Sequence, residues 1–399
     1  MDELVRPSVA AYAEQAKRFE QAGNAQAALR SYLIATQLQI VLLGRGDATN
    51  YFQLGMALGH AGEDRHAAAA FRAALALQPA NAQGWNNLGV LTDGVAALRR
   101  AVRLLPERAD HHTNLAHALL AGGQFAEGFR EWEWRAPSPP RTFAAPRWDG
   151  SPFPGRTLLI HAEQGYGDSI QFSRYLPDAA RLGGKVIVES RPPLAGLLGR
   201  IEGVGEIVPW GETLPPHDLH LPLPSLARLF YREEDPTPYL AADPARVERW
   251  RDRLDGAGQR RKVGLVWAGN PQGHDRRRAA PFALIAELVR SLPDIAFFGL
   301  QREGEESCEG LARLGPDIAD FDDLAAALIS LDLLISVDTA AAHLAGALGR
   351  PSWVMLHSAA DWRWNGDWYR GTRRYRQETA GDWQDVIRRI GADLRQPAR

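Results

Sequence analysis

The chain has 399 residues, of which 45% are hydrophobic and 24% are charged, and its formal net charge is −2. This length suggests roughly two or three domains, and the near-neutral charge excludes a general nucleic-acid binder, which needs a basic excess to neutralise phosphates. Cys308 is the only cysteine, which excludes an internal disulfide and a multi-cysteine metal site. No apolar run reaches about 18 residues, and residues 1–10 lack the apolar centre of a signal peptide. We therefore predict a cytoplasmic protein with no membrane span.

Residues 1–135 carry an internal repeat. Its clearest unit has aromatic, small and proline residues at the spacing of an about 34-residue helix–turn–helix repeat: Tyr51, Leu54, Gly55, Leu58, Ala67, Phe71, Ala74 and Pro79. The same phase recurs from Tyr12, Trp85 and Leu115, so we predict four stacked helical units, the third shortened near Asp93. The pattern resembles tetratricopeptide repeats (TPR), whose units bury a continuous core by stacking.

Helical arrays of this kind usually present a concave surface to a peptide or a protein. We predict that residues 1–135 bind an acceptor protein or peptide, and the alternative is that they only stiffen or dimerise the protein. Asn86, Asn87 and Asn114 lie on the first helices of their units, where their amides could bond the backbone of an extended peptide. The sequence leaves open whether the protein forms a homo-oligomer.

Residues 136–155 contain six prolines, which predicts an extended and fairly stiff connector that Trp148 and Phe153 pin onto the next domain. Residues 156–240 then alternate short apolar strands with helices, the pattern of a parallel sheet in a Rossmann-like domain. The first strand leads into a loop with Gln164, Gly165 and Gly167, whose glycines permit a tight turn and a close approach by a ligand.

A histidine pair in this domain raises the question of a metal. His217 and His220 flank Asp218 near a predicted strand. Because no third ligand is apparent, we predict no metal site there.

Residues 241–399 are predicted to form a second Rossmann-like domain, reached through a polar hinge. Its first strand ends near Asn270 in a loop rich in glycine and arginine, and Arg278 is the last basic residue before the next helix. Open α/β sheets bind ligands at the carboxyl ends of their strands, and a guanidinium group offers a planar fork for phosphate oxygens. Arg276 or Arg277 could take this role instead of Arg278. Farther along, Gln301 follows another strand.

The segment from Val337 to Pro351 combines a strand, a short turn and a helix of small residues. Thr339 is predicted to cap that helix, whose first N–H groups and partial positive charge suit a phosphate. Asp338 precedes the cap, and His343 lies one turn into the helix. The alternative is an ordinary strand–helix unit with a capping threonine.

The remaining stretches are assigned more simply. Asp322 and Asp323 are predicted to be caps and solvated surface. Trp362 and Trp364 belong to an aromatic segment that we expect to form a functional loop over the cleft, the alternative being a surface loop anchored by tryptophans. The amphipathic helix over residues 382–394 is expected to cross back to the first Rossmann-like domain.

A family resemblance joins these observations. The pattern Asp-Thr-x-x-x-His-Leu-Ala-x-Ala-Leu-Gly-x-Pro, which ends at Pro351, resembles the diphosphate-binding motif of the heptosyltransferase-like glycosyltransferases of family 9. The resemblance covers about residues 155–395. It implies an α + α/β protein in which a TPR helical array precedes a GT-B fold of two Rossmann-like domains, the first for the acceptor and the second for the donor.

The resemblance also implies a reaction. It predicts an inverting, metal-independent glycosyltransferase that moves a sugar from a nucleotide sugar to a hydroxyl group, with the acceptor protein held by the repeats. No cofactor is expected besides the nucleotide sugar, because fixed positive dipoles would replace a metal. A heptosyltransferase-like enzyme of lipopolysaccharide or other saccharide assembly is one alternative. A non-catalytic TPR scaffold with a degenerate glycosyltransferase domain is another.

Site residues follow from the same resemblance. Asp168 matches the family's proposed general base, and its alternative is a plain N-cap. The two roles are compatible only if one carboxylate oxygen remains free. The loop near the cleft holds Gln164, Gly165 and Gly167, together with Trp362 and Trp364. The predicted donor-binding residues are Asn270, Arg278, Gln301, Asp338, Thr339 and His343.

Overall fold

The structure is a computed structural model that describes residues 2–43, 46–137, 140–233, 238–269 and 276–396. The chain separates into two compact units, Met1–Ala136 and Pro137–Arg399. The first is helical and the second is α/β. The predicted fold class, a TPR array followed by two Rossmann-like domains, is confirmed. Within the described residues, no helix is both long and apolar enough to span a bilayer.

The first unit consists of helical hairpins. Its helices, over the described residues, are α1 (Asp2–Gln21), α2 (Ala25–Leu43), α3 (Ala48–His60), α4 (Asp64–Leu77), α5 (Ala82–Thr92), α6 (Val95–Leu104), α7 (Ala109–Ala121) and α8 (Phe125–Glu131). Each helix packs on the next one in sequence, as repeats that stack into one core require. The predicted four units are present as four helix pairs.

Small residues set the distance between paired helices. A Cβ at Gly55 would lie 2.8 Å from the Phe71 ring, so only glycine allows α3 and α4 to approach as they do. The third unit is short mainly because its helices are short: α5 has 11 residues and α6 has 10, against 13 in α3 and 14 in α4. Its turn, Asp93 and Gly94, is one residue shorter than the turn between α3 and α4. Asp93 adopts a left-handed backbone conformation with φ 47°, and aspartate tolerates this better than most residues.

The second unit contains two parallel sheets. Strands β1 (Thr157–His161), β2 (Lys185–Ser190), β3 (Val204–Pro209) and β4 (Leu219–Pro222) form the first, in the order β3-β2-β1-β4. Strands β5 (Arg261–Val266), β6 (Ile295–Gly299), β7 (Leu311–Arg313), β8 (Leu333–Val337), β9 (Ser352–Leu356) and β10 (Thr372–Arg376) form the second, in the order β10-β9-β8-β5-β6-β7. Every pairing between neighbouring strands is parallel.

Helices make most of the connections between these strands, as is usual where neighbouring strands are parallel. They are α9 (Tyr166–Phe172), α10 (Leu176–Ala180), α11 (Ala195–Gly199), α12 (Leu226–Phe230), α13 (Pro244–Leu254), α14 (Phe282–Arg290), α15 (Phe321–Ile329), α16 (Ala340–Ala347) and α17 (Trp383–Leu394). Short 3-10 turns complete the connections, among them Arg276–Arg278 and Trp362–Trp364.

The last helix, α17, corrects one prediction. It packs on α14 and β10 of the second sheet, and Val386 and Ile390 are fully buried in the same core cluster as Ile335 of β8. Its apolar stripe is thus covered by its own sheet. The predicted crossing back to the first Rossmann-like domain does not occur, because this face of the second sheet already buries the stripe.

The proline-rich connector is also more ordered than the sequence indicates. Arg147 forms a parallel bridge to His220, and the Trp148 N–H donates to the His220 carbonyl at 2.9 Å. Strand β4 is an edge strand, and edge strands leave backbone groups that a passing segment can satisfy. Trp148 and Phe153 are buried with ring centroids 5.4 Å apart, which confirms that they pin the segment down.

Candidate functional site

The order of strands locates a cleft. In the first sheet the chain adds β2 and β3 on one side of β1 and then β4 on the other side, so the strand order switches between β1 and β4. In the second sheet the same switch falls between β5 and β8. Ligands in open α/β sheets bind at such switch points, beyond the carboxyl ends of the strands. Residues that follow β1, β5, β6 and β8 line one open cleft of about 990 Å³. Both halves of the second unit therefore contribute to the same site.

The cleft brings together about half of the predicted site residues. Those on its wall are Gly165, Gly167, Arg278, Gln301, Asp338 and Thr339. Those that the structure places elsewhere are Gln164, Asp168, His343, Trp362 and Trp364. Asn270 lies outside the described residues. Arg277 is exposed but not on the wall, which favours Arg278 for the predicted phosphate contact, and the side chain of Arg276 lies outside the described part.

Helix α16 begins at the cleft wall. Thr339 is at its N-cap, yet the threonine side chain makes no capping hydrogen bond, which corrects the prediction. Its hydroxyl instead lies 2.8 Å from that of the fully buried Ser336, and the two hydroxyls pair with each other. Ala340 and Ala341 also line the cleft, and N–H groups in the first turn of a helix have no acceptor within it. The helix therefore directs a partial positive charge at the cleft.

Arg278 adds a full positive charge beside this helix end. Its Nη1 atom lies 3.1 Å from Oδ2 of Asp338, and 38% of the Arg278 side chain is exposed whereas Asp338 has only 6%. The buried carboxylate fixes the guanidinium at the cleft wall and leaves part of it accessible. An arginine and a helix N-terminus at one wall form an arrangement suited to an anion.

Gln301 connects two strand ends. Its Oε1 accepts a hydrogen bond from the Ala268 N–H at 3.1 Å, which joins the segment after β6 to the segment after β5. A Cβ at Gly315 would fall 1.8 Å from the Gln301 carbonyl oxygen, so the backbone at Gln301 is held closely from behind. The side chain thus shapes the cleft, and its contact with a nucleotide stays a prediction.

His343 is buried behind the helix terminus. Its Nδ1 atom lies 2.8 Å from the Tyr369 hydroxyl, and its ring stacks on Trp364 with centroids 4.6 Å apart. Burial lowers the pKa of His343 to about 4, against the opposing attraction of Asp338. The imidazole is therefore neutral at pH 7 and supplies no positive charge to a phosphate.

Asp168 engages both carboxylate oxygens. Oδ2 accepts a hydrogen bond from the Gly165 N–H at 3.0 Å. Gly165 is the N-cap of α9 and Asp168 is the third helical residue, so Asp168 is not the predicted N-cap but reaches back to the N-cap N–H. Oδ1 accepts from Nε of Arg363 at 2.9 Å. The condition that one oxygen remains free is therefore not met, although Oδ2 carries a single hydrogen bond and keeps a second lone pair.

The aromatic segment does not lie over the cleft. Trp362 and Trp364 are 6% and 2% exposed and neither lines the cleft, so the predicted loop over the cleft is wrong. Trp364 stacks on His343 of α16, a helix that packs on α9 across the junction between the two halves. Gly167 of α9 meets His343 of α16 closely, since a Cβ on the glycine would lie 2.9 Å from Cδ2 of the imidazole.

A buried arginine also sits in this junction. Arg174 is 7% exposed, donates to the Trp368 carbonyl at 3.2 Å, and places its Cζ 4.8 Å from the ring centroid of Tyr239 and 5.2 Å from that of Tyr369. Ring faces attract such a cation. The sequence does not indicate these partners, because they lie far from Arg174 along the chain.

Two aspartates predicted to be solvated are instead buried. Asp322 is 5% exposed and Asp323 is 8% exposed. Asp322 Oδ1 accepts a hydrogen bond from Arg200 of the first half, and Asp323 forms an ion pair with Arg246 at 3.0 Å. Carboxylates become buried where such cations compensate them. The prediction failed because these arginines lie far away in sequence.

The sequence also missed aromatic residues at the cleft. Tyr166 and Phe321 both line it, with ring centroids 5.1 Å apart. Tyr166 stands between the two glycines of the first loop, where a large ring among small residues was the available signal.

Of the predicted pair His217 and His220, His220 pairs instead with His161 of β1. Nδ1 of His220 lies 3.3 Å from Nε2 of His161, and Phe143 stacks on both rings. In the part of the chain that the structure describes, no group of three or more His, Cys, Asp or Glu residues is placed to hold a metal ion.

Comparisons with known proteins give these similarities. No protein-family model matches the chain. Protein FlbA of Caulobacter vibrioides is 33% identical over 325 residues, which take in 70% of this chain and 54% of FlbA. The chain thus spans about half the length of this curated relative.

Solved structures give weaker similarities. A glycosyl transferase of family 9 from Veillonella parvula has a TM-score of 0.45 at 8% identity, covering 63% of this chain and 92% of that one. A mutant of the Thermobaculum terrenum O-GlcNAc transferase has a TM-score of 0.33 at 17% identity, covering 98% and 91%. The first structure bears the family name that the sequence motif indicates. Both TM-scores lie below 0.5, so neither similarity assigns a reaction or a substrate to this chain.

Proposed function

We propose that the chain is a glycosyltransferase that moves a sugar from a nucleotide sugar to a hydroxyl group, with inversion and without a metal. The observation that carries the proposal is the cleft wall, where the open N-terminus of α16 stands beside Arg278. A nucleotide sugar places its diphosphate where such fixed positive groups can neutralise it. The cleft of about 990 Å³ is of the size that small-molecule sites have.

The proposed reaction needs charge stabilisation on the leaving side. Transfer of a glycosyl group passes through an oxocarbenium-like state, in which the departing diphosphate gains negative charge. N–H groups of α16 and the Arg278 guanidinium would bind that charge as it develops, without reorganising. Because these groups are built into the fold, a divalent metal is not required.

On the acceptor side a base must take the hydroxyl proton, and we assign this role to Asp168. It lies on α9, directly behind the glycines that line the cleft. The second lone pair of its Oδ2 is the position for the incoming proton. The capping hydrogen bond to Gly165 would then orient the carboxylate rather than compete with catalysis.

The acceptor is proposed to be a protein or peptide held by the repeats. Nδ2 of Asn114 donates to Oδ1 of Asn86 at 3.0 Å, and Nδ2 of Asn87 contacts Sδ of Met56 at 3.0 Å. Both contacts join neighbouring repeat units, so the amides form an uncharged row along the first helices. Asn86 is buried, whereas Asn87 and Asn114 are half-buried, so the remaining amide groups of these two would pair with an extended peptide backbone whatever its sequence. A saccharide acceptor, as in a heptosyltransferase-like enzyme, is the second candidate, and the motif ending at Pro351 favours it.

Calorimetry tests the donor site first. The protein is titrated with ADP, UDP, GDP, CMP and their common sugar conjugates. Selective binding of one nucleotide supports the proposal, and ADP would make a heptose donor the leading choice. If the folded protein binds none, the non-catalytic scaffold becomes the better account.

Variants then test the assigned groups. Arg278→Ala should weaken nucleotide binding about tenfold or more, because hydrogen bonds to charged groups contribute on that scale. Arg277→Ala is the matched control, since Arg277 lies in the same turn but off the cleft wall. Asp168→Ala should reduce turnover by orders of magnitude with the fold intact. Full activity in excess chelator is expected, and a loss that magnesium or manganese restores would show that a metal takes part.

A further inference from the structure

Arg363 bridges the two halves of the second unit. Its Nε donates to Oδ1 of Asp168 at 2.9 Å, and its Nη1 lies 2.9 Å from Oδ1 of Asp361. Asp168 belongs to the first half and Asp361 to the second, so one guanidinium joins carboxylates from both. The Arg363 and Asp168 side chains are each only 15% exposed, and contacts of this kind strengthen as water is excluded.

The neighbours of Arg363 leave it little freedom. Its Cζ lies 4.3 Å from the ring centroid of Trp362, and the backbone N–H of Arg363 donates to Asp361 Oδ1 at 3.0 Å. The 3-10 turn Trp362–Trp364 holds the backbone at this residue. The planar guanidinium therefore meets the Asp168 carboxylate in one fixed orientation, which a lysine ammonium could not reproduce.

From this geometry we infer that Arg363 is a positioning residue, which fixes the orientation of the Asp168 carboxylate. This inference rests on the proposed function for the catalytic role of Asp168. The bridge places the base correctly only when the two halves are docked, because its anchor belongs to the donor half. Docking and readiness for proton transfer are thereby coupled through one side chain.

The charged side chains around Asp168 make Arg363 its direct partner. Arg363 and Asp361 approach from the aromatic segment, and His343 approaches from α16. Of these side chains, Arg363 is the one that donates hydrogen bonds to the Asp168 carboxylate. Its replacement therefore removes the contact that orients the carboxylate.

Hydrogen exchange tests the bridge without requiring activity. In the full chain, Arg363→Gln should increase amide exchange in residues 165–172 of the first half as well as in residues 357–369. Asp168→Asn should do the same from the other side of the contact. An increase of about tenfold is expected, because breaking hydrogen bonds to a charged group favours opening on that scale.

Arg374→Gln is the matched control. Arg374 donates to the carbonyls of Trp364 and Gly366 at 2.9 and 3.0 Å, so its loss loosens the aromatic segment without touching Asp168. It should increase exchange in residues 357–369 only. If Arg363→Gln leaves residues 165–172 unchanged, or if Arg374→Gln deprotects them equally, the bridge is not what positions Asp168.

Kinetics test the positioning role itself. With the nucleotide sugar that calorimetry selects, Arg363→Gln should lower kcat about a hundredfold, a typical effect of misplacing a catalytic group. The KM for the nucleotide sugar should change little, because Arg363 does not line the cleft. Arg363→Lys retains the charge but lacks the planar fork, so it should not restore kcat.

The outcomes separate this inference from the proposed function. If the wild-type protein turns over no nucleotide sugar, the proposed function and the positioning role are both overturned. If the wild-type protein is active but Arg363→Gln keeps its kcat, or is impaired only through a raised KM, only the positioning role is overturned.

Discussion

Acid should destabilise the second unit because it buries two neutral histidines. Burial lowers the pKa of His161 to about 3, with His220 adding to the effect, and lowers that of His343 to about 4. An unfolded histidine titrates near about 6.5. Below that pH the histidines of the unfolded chain are protonated, whereas His161 and His343 of the folded chain stay neutral. The contribution of these histidines to the free energy of unfolding is therefore present above about pH 6.5 and is lost as the pH falls toward their folded-state pKa values.

The size of the effect follows from these pKa values. Between pH 7 and pH 5 the free energy of unfolding should fall by about 2 kcal/mol for each histidine. Urea unfolding followed by tryptophan fluorescence measures it at both pH values. His161→Gln and His343→Gln should each reduce the pH dependence by about that amount, whereas His217→Gln, at a half-buried position, is the control. An unchanged pH dependence in both variants would refute the reasoning.

Two further changes probe the junction. Gly167→Ala should lower the free energy of unfolding by about 1–3 kcal/mol, because the new Cβ would lie 2.9 Å from the His343 imidazole. Gly165→Ala is its control, since a Cβ there would meet only the Asp168 Oδ2 atom at 3.4 Å. Thermal unfolding should therefore separate the two variants. Asp322→Asn should lower the free energy of unfolding by about 1–3 kcal/mol, because it weakens the pairing with Arg200. Asp367→Asn is its control: that carboxylate is 94% exposed, so urea unfolding should show a change within about 1 kcal/mol. Equal losses within either pair would contradict these assignments.

Local periodicity explains what the sequence predicts well. Strands such as β1 and β8 are short apolar runs, and the alternation with helices implies parallel sheets without any knowledge of distant contacts. The helical repeats are equally local, since Gly55 and Phe71 meet within one unit. The cleft wall at Asp338 and Thr339 was predictable because strand ends determine where open sheets bind ligands.

Long-range partners explain what the sequence does not predict. Asp322 was assigned to the surface because its arginine partner lies 122 residues away, and Arg363 was passed over because its carboxylate lies 195 residues away. The predicted side-chain cap at Thr339 was wrong for a different reason, because the hydroxyl of Ser336, three residues earlier, pairs with that of Thr339. Such choices between hydrogen-bond partners depend on geometry that composition and spacing do not carry.

The junction between the two halves contains more buried charge than docking alone requires. Well-packed apolar residues can often replace a buried ion pair without loss of stability, and a buried guanidinium costs several kcal/mol unless its surroundings compensate it. Yet Arg174 is enclosed by the rings of Tyr239 and Tyr369, and Arg363 lies between Asp168 and Asp361. Both arginines fix backbone or side chains close to the cleft. Their placement is therefore better explained by the need to orient the loops of the site than by the stability of the interface.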